Sequence, residues 1–142
     1  MKKVELLAPA GSLEKLEMAL VYGADAVYMG GEAYGLRAYA ENFSREEMKA
    51  GIEFAHSMGK KVYITMNIIP HNNDLIGMPE YIKEIESMGV DAVILSDPGV
   101  LAMVKSVAPS MEIHLSTQAN NTNWGSANFW YNQGVRRDRK ST

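Results

Sequence analysis

Short apolar runs alternate along the chain with longer segments of helical periodicity. The first run, Val4 to Ala8, stops at Pro9-Ala10-Gly11; Leu13, Leu16, Ala19 and Leu20 then recur at helical spacing as far as Tyr22. Ser12 stands at the N-cap position, with Lys15 where the acid of a capping box would be, Glu14 suited to the helix dipole, and Gly23 as a C-cap. Ala26-Val27-Tyr28-Met29 predicts a second strand, followed by a long connection from Gly30 to about Phe43. Ser44 and Glu47 make a capping box for a helix that runs to about Ser57 and ends at Gly59. Lys61 to Met66 is a β-rich strand, and Asn67 to Pro79 reads as a loop, with Asp74 as a secondary helix-start signal. A helix over Glu80–Met88 ends at Gly89, and Ala92–Leu95 is the next strand. Asp97-Pro98 supplies an N-cap and an N1 proline for a helix to about Val107. Met111–Ser116 is a fifth strand, Asn123 to about Gln133 a fifth helix closed by Gly134, and Val135-Arg136-Arg137 opens a sixth strand that stops short.

An internal repeat supports this division. Gly23-Ala24-Asp25-Ala26-Val27 and Gly89-Val90-Asp91-Ala92-Val93 share the pattern G-x-D-A-V, each stopping a helix and feeding a strand. Strands this short, separated by helices, require a parallel sheet with right-handed crossovers. A doubly wound sheet and a (β/α)8 barrel both satisfy that pattern. The barrel is favoured because Gly30-Gly31 lacks a dinucleotide fingerprint, because the strands are short and repetitive, and because they alternate in polarity. Glu5, Tyr63, Thr65, His114 and Ser116 fall on one face of their strands; Val4, Leu6, Val62, Ile64, Ile113 and Leu115 fall on the other. The fold class is therefore α/β, a partial (β/α)8 TIM barrel of about five βα units of parallel sheet, since a whole barrel takes about 250 residues.

The 142 residues are 46% hydrophobic, which is ample for a buried core and excludes global disorder. A net charge of -3 argues against a strongly basic nucleic-acid footprint, while leaving room for a local patch. With no cysteine, disulfides, thiolate nucleophiles and thiolate-held metals are excluded within these residues. No apolar run approaches the length that spans a bilayer, and the opening run is too soon broken to be a signal-peptide core. A cytoplasmic protein with no membrane partner is the expectation. Residues 1–137 read as the barrel portion and 138–142 as a polar tail. Strand-entry chemistry without its strand suggests a chain cut short of a longer one.

The loops at the carboxyl ends of the strands carry the candidate chemistry, as they do in barrel enzymes. Arg37, in the longest loop, suits a carboxylate or phosphate, or else a surface ion pair with Glu32 or Glu41. His71 is a candidate base or metal ligand, or a hydrogen-bonding loop residue. His114 lies within a strand; facing the lumen, it would need a partner such as Glu5, Ser116 or Gln118. Capping alone accounts for Asp97, and His56 is assigned no function. The run from Ser116 to Asn123 is dense in amides and hydroxyls, as a polar-ligand surface would be. Trp124, Phe129, Trp130 and Tyr131 are read as packing rather than as a base-stacking platform. No metal-ligand spacing, nucleophile elbow or phosphate loop is present.

Particular strings go further. Leu7-Ala8-Pro9-Ala10-Gly11, Gly23 to Gly31, Arg37 to Phe43, Asn67-Ile68-Ile69-Pro70-His71-Asn72, Ser96-Asp97-Pro98-Gly99 and His114 to Asn120 together resemble the collagenase-like U32 peptidase family. The match runs in order from residue 4 to about 137. It implies the N-terminal portion of that family's barrel domain and a peptidase as the leading functional reading. The alternatives are part of a factor that hydroxylates tRNA or rRNA bases, and an inactive fragment that oligomerises. The resemblance also implies a 4Fe-4S cluster held by four later cysteines, none of which is in this segment, so no cofactor is expected here. Catalytic roles are left unassigned, with His71, Asp97 and His114 as candidates; Arg37, Asn42, Asn67, Ser116, Gln118 and Asn120 are the substrate-binding candidates. The implied partners are a protein or RNA substrate and a second copy of the chain, paired through open sheet edges.

Overall fold

A computed structural model describes residues 4–30, 43–66, 75–116, 119 and 121–138. Six parallel strands follow one another in sheet order: β1 (Leu7–Pro9), β2 (Ala26–Gly30), β3 (Lys61–Met66), β4 (Ala92–Leu95), β5 (Glu112–Leu115) and β6 (Arg137–Asp138). Between them lie α1 (Leu13–Val21), α2 (Arg45–Ser57), α3 (Met78–Ser87), α4 (Pro98–Val107) and α5 (Trp124–Asn132). Sequential order with parallel neighbours is the topology of a barrel wall; a doubly wound sheet would reverse its order part-way. The chain forms a half-barrel with its helices outside.

The alternation along the strands decides the layering. Val27, Met29, Val62, Ile64, Val93, Leu95, Ile113 and Leu115 point outward into one core with Leu16, Leu20, Ile52, Ile82, Ile85, Val100 and Val104 of the helices. Ala26, Tyr63, Ala92 and Ile94 point the other way and form a smaller cluster on the concave face, with Leu7 and Tyr28 against it. Among these lumen residues Tyr63 is the large one, 2% exposed, standing among alanines and an isoleucine.

Helix boundaries follow the caps. Ser12 accepts a hydrogen bond from Lys15 N, Ser44 and Glu47 make both bonds of the capping box, and Asn123 accepts from Ser126 N. α3 begins at Met78, two residues before the expected start, and takes Pro79 into its first turn. A proline there is tolerated because that turn's N–H groups have no helical acceptor. The first strand also shifts, to Leu7–Pro9 instead of Val4–Ala8. The Leu6 backbone is held by the αβ turn: its N–H donates to Asp25 Oδ2 at 2.9 Å and its carbonyl accepts from Asp25 N at 2.8 Å. The sixth strand does form, over two residues: Arg137 and Asp138 pair with His114 and Leu115. Strand structure thus reaches Asp138, one residue into the expected polar tail; residues 139–142 lie outside the described residues.

The G-x-D-A-V repeat is one structural device used twice. Gly23 and Gly89 take positive φ, 114° and 86°, which an L side chain would resist. The aspartate two residues on then clasps the amino end of the preceding strand. Asp91 repeats the Asp25 arrangement, its Oδ2 accepting from Val62 N at 2.8 Å and its N–H donating to Val62 O at 3.0 Å. Basic side chains at and just beyond the end of α2 face both carboxylates: His56 Nε2 lies 2.8 Å from Asp91 and Lys60 Nζ 3.6 Å from Asp25. Because Val62 is fully buried, Asp91→Ala is expected to lose about 1 to 3 kcal/mol by stranding its N–H. Asp25→Ala is expected to cost less, because the exposed Leu6 N–H can turn to water. Urea midpoints check the order, and equal losses would refute it.

Among the described residues no helix is long and apolar enough to cross a membrane.

Candidate functional site

Two sets of polar side chains lie on the concave half of the sheet, at opposite ends of the strands. The carboxyl rim carries Asp97 after β4 and Ser116 after β5, as the strand spacing predicts. Asp97 Oδ2 accepts from Val100 N at 3.0 Å, capping α4. Ser116 is buried; its N–H donates to Leu95 O at 2.7 Å and its carbonyl accepts from Ala119 N at 3.1 Å. These bonds pin the loop after β5 to the end of β4, so the two candidates sit on one rim of adjacent strands. Arg37, Asn42, Asn67, His71, Gln118 and Asn120 lie outside the described residues.

The second set fills the amino half of the lumen. His114 is fully buried, and its Nε2 lies 2.7 Å from Oε1 of Glu112, two residues earlier on the same face of β5. The imidazole meets the Tyr63 ring edge-on, with centroids 4.7 Å apart. The Tyr63 hydroxyl donates to Glu5 Oε2 at 2.8 Å. Arg137 Nη1 donates to Glu5 Oε1 at 2.6 Å and to the Tyr63 hydroxyl at 3.4 Å. One guanidinium thereby joins the last strand to the segment before the first, across the mouth of the half-barrel. Of the partners the sequence offered His114, Glu5 bonds the Tyr63 hydroxyl, whose ring meets the imidazole; Glu112, which the sequence did not offer, lies at hydrogen-bond distance.

The charges of this cluster are tuned by burial and by one another. Burial, reinforced by the Glu5 carboxylate, pushes the Tyr63 phenol up to about 12, with Arg137 opposing. Burial alone would raise Glu112, but the bond and charge of His114, with Lys61 and Arg137, bring it below the ordinary glutamate value. Burial would lower Arg137, but the charge of Glu5 and its contacts with Tyr63 hold it raised, so the guanidinium stays charged. Glu5 pairs with Arg137, and Glu112 with His114, at the amino end of the lumen, the end that serves stability in barrels. In barrel enzymes the carboxyl rim is the end that carries the active site. Sequence reading missed Tyr63, Glu112 and Arg137 as a unit. The available signal was spacing: Glu112 lies two residues before His114, and Arg137 lies three after a helix-closing glycine.

Among the described residues no group of three His, Cys, Asp or Glu side chains is placed to hold a metal ion. The cysteine-free chain has no ligand set for the iron–sulfur cluster that the resemblance implies.

The family model described as Peptidase family U32 matches residues 11–138. The chain belongs to peptidase family U32. This U32 chain is 48% identical over 136 residues to tRNA hydroxylation protein P1 of Bacillus subtilis (strain 168), covering 96% of the chain and 32% of that protein. It is 46% identical over 137 residues to tRNA hydroxylation protein P of Escherichia coli (strain K12), covering 96% of the chain and 30% of that relative. The U32 chain therefore spans about a third of the length of these relatives. Among solved structures, the U32 peptidase Mk0906 superposes with a TM-score of 0.74 at 14% identity, over 97% of this chain and 60% of that one. That likeness bears on the fold, and it agrees with the partial barrel wall seen here.

Proposed function

We propose that this U32 chain is the amino-terminal barrel portion of a factor for tRNA hydroxylation, acting in the cytoplasm. The observation that carries the reading is the identity of 48% and 46% to two relatives named for tRNA hydroxylation, each over 96% of the chain. It favours RNA over the peptide substrate that the family name suggests. In this reading the carboxyl rim receives the nucleotide. Asp97 and Ser116 hold the rim in shape, while Arg37, Asn42, Asn67, His71, Gln118 and Asn120 contribute the hydrogen-bonding groups. In this reading the chain's own residues bind and orient the base.

The test is nucleoside mass spectrometry of tRNA from a strain lacking the corresponding gene. A nucleoside heavier by one oxygen should disappear and return when the gene is restored. Unchanged tRNA nucleosides, together with gelatin cleavage by the purified full-length protein, would return the assignment to peptidase.

A further inference from the structure

The helix α5 departs from the other four. Only Trp130 along it is buried, whereas Trp124, Phe129 and Tyr131 are 83%, 52% and 61% exposed. The expectation that these aromatics pack therefore holds for Trp130 and fails for the rest. Periodicity explains the split. At about 3.6 residues per turn, Trp124 and Tyr131 are seven apart and fall on one side of the helix, roughly 10 Å from each other along its axis. Trp130 lies on another side, turned toward the sheet, where it joins the outer core.

A cation completes the stripe. The Arg136 guanidinium carbon stands 4.8 Å from the centroid of the Tyr131 ring, and Nη1 donates to Tyr131 O at 3.3 Å. The surrounding sequence is free of acids. From Ile113 to Arg137 there is no aspartate or glutamate, in a chain that carries 17. Of the flanking acids, Glu112 is paired with His114, and Asp138 accepts from Asn121 Nδ2 at 3.0 Å, so its carboxylate is tied up at the amino end of α5. The amino end of α5 is also held in place. Ser126 Oγ donates to Asn121 Oδ1 at 2.6 Å, and Ser126 N donates to Asn123 Oδ1 at 2.9 Å. The Trp124 backbone is thus fixed at the carboxyl rim while its indole stands in solvent.

Exposed aromatic faces accompanied by arginine, on a segment that itself carries no acid, are the composition of surfaces that stack unpaired bases. Phosphates would meet no acidic side chain along this segment, in contrast to the net charge of the whole chain. A duplex presents few base faces, so the stripe suits a single-stranded segment. We propose that Trp124, Tyr131 and Arg136 form a docking surface for unpaired bases of RNA, running from the carboxyl rim down the outer side of α5. The proposal rests on the RNA-directed reading above and adds to it the place where the nucleic acid lies.

The test is titration of the 142-residue chain with unfractionated tRNA, followed by quenching of the exposed indole and by anisotropy of labelled tRNA. The double variant Trp124→Ala with Tyr131→Ala should weaken binding by at least about tenfold; the double phenylalanine variant should stay within about threefold of wild type, because a phenyl ring still stacks. Lys83→Gln, an exposed cation on α3, should change binding by less than about twofold. Circular dichroism should show unaltered folding, since both aromatics are exposed. Equal affinity of the double alanine variant and wild type overturns the stripe, as does a wild type that does not bind tRNA. A wild-type dimer dissolved by the double alanine substitution, with tRNA affinity unchanged, would assign the stripe to a second copy of the chain instead. The nucleoside measurement on the deletion strain judges the hydroxylation reading independently, because its readout does not depend on how α5 contacts RNA.

Discussion

Replacing Tyr63 by alanine is expected to destabilise the chain by about 3 to 5 kcal/mol, the cost of deleting a buried aromatic ring whose site cannot collapse. The ring is 2% exposed and stands among Ala26, Ala92 and Ile94, none of which can extend to fill its volume. It also supports the edge of the buried His114 imidazole. Tyr63→Phe keeps the ring and loses only the hydroxyl, leaving Glu5 with its Arg137 partner at 2.6 Å. Its cost should be about 1 kcal/mol. Urea unfolding of the two variants, extrapolated linearly to water, separates the terms. If the two variants lost the same amount, packing of the ring in the lumen would contribute nothing beyond its hydrogen bond.

The same phenol should make the fold sensitive to alkali. Its value of about 12 in the folded chain compares with 10.0 for the free side chain. Below pH 10 both folded and unfolded chains hold the proton, and the stabilisation is complete. Between 10 and 12 the unfolded chain releases the proton while the folded chain keeps it, so stability falls as pH rises. The loss by pH 12 should be roughly 2 to 3 kcal/mol, two units at about 1.4 kcal/mol each. Glu112 acts on the acid side with the opposite slope. Its lowered value means that its stabilisation is present above the ordinary glutamate range and disappears as pH falls through the folded value. Unfolding free energies measured across pH 9 to 12 in wild type and Tyr63→Phe provide the check. A phenylalanine variant with the same alkaline slope as wild type would remove Tyr63 as its source.

The strands and helices were largely readable before the tertiary structure, and particular residues show why. Asp97-Pro98 set the start of α4, the Ser44–Glu47 box set the start of α2, and the two G-x-D-A-V turns set the starts of β2 and β4. Each is a short-range device, in which a side chain bonds a backbone group a few residues away or a glycine adopts positive φ. The errors came where a distant segment intervened. Leu6 is held by Asp25, nineteen residues on, so β1 starts later than its apolar run. The sequence marks the opening of β6 at Val135-Arg136-Arg137, but the pairing itself, of Arg137 and Asp138 with His114 and Leu115, is set by the edge that β5 offers. The lumen cluster was legible only as a face. Glu5, Tyr63 and His114 share the parity of the concave side, but nothing local says that Arg137, 132 residues after Glu5, closes on it.

By itself the sequence determined the order and type of the elements, the inward or outward parity of the residues of β3 and β5, and membership of the U32 family, because periodicity, caps and ordered strings are all local along the chain. Val4 and Leu6, expected on the outer core face, are instead exposed ahead of β1. Only the tertiary structure decided which polar groups meet. It bound Glu5, Tyr63 and Arg137 at the amino mouth, tied His114 to Glu112, and left Trp124 and Tyr131 of α5 facing solvent while Trp130 went inward. The physical reason is that parity and helical phase fix where a side chain points. What lies there depends on the curvature of the sheet and on which neighbouring element arrives to cover it.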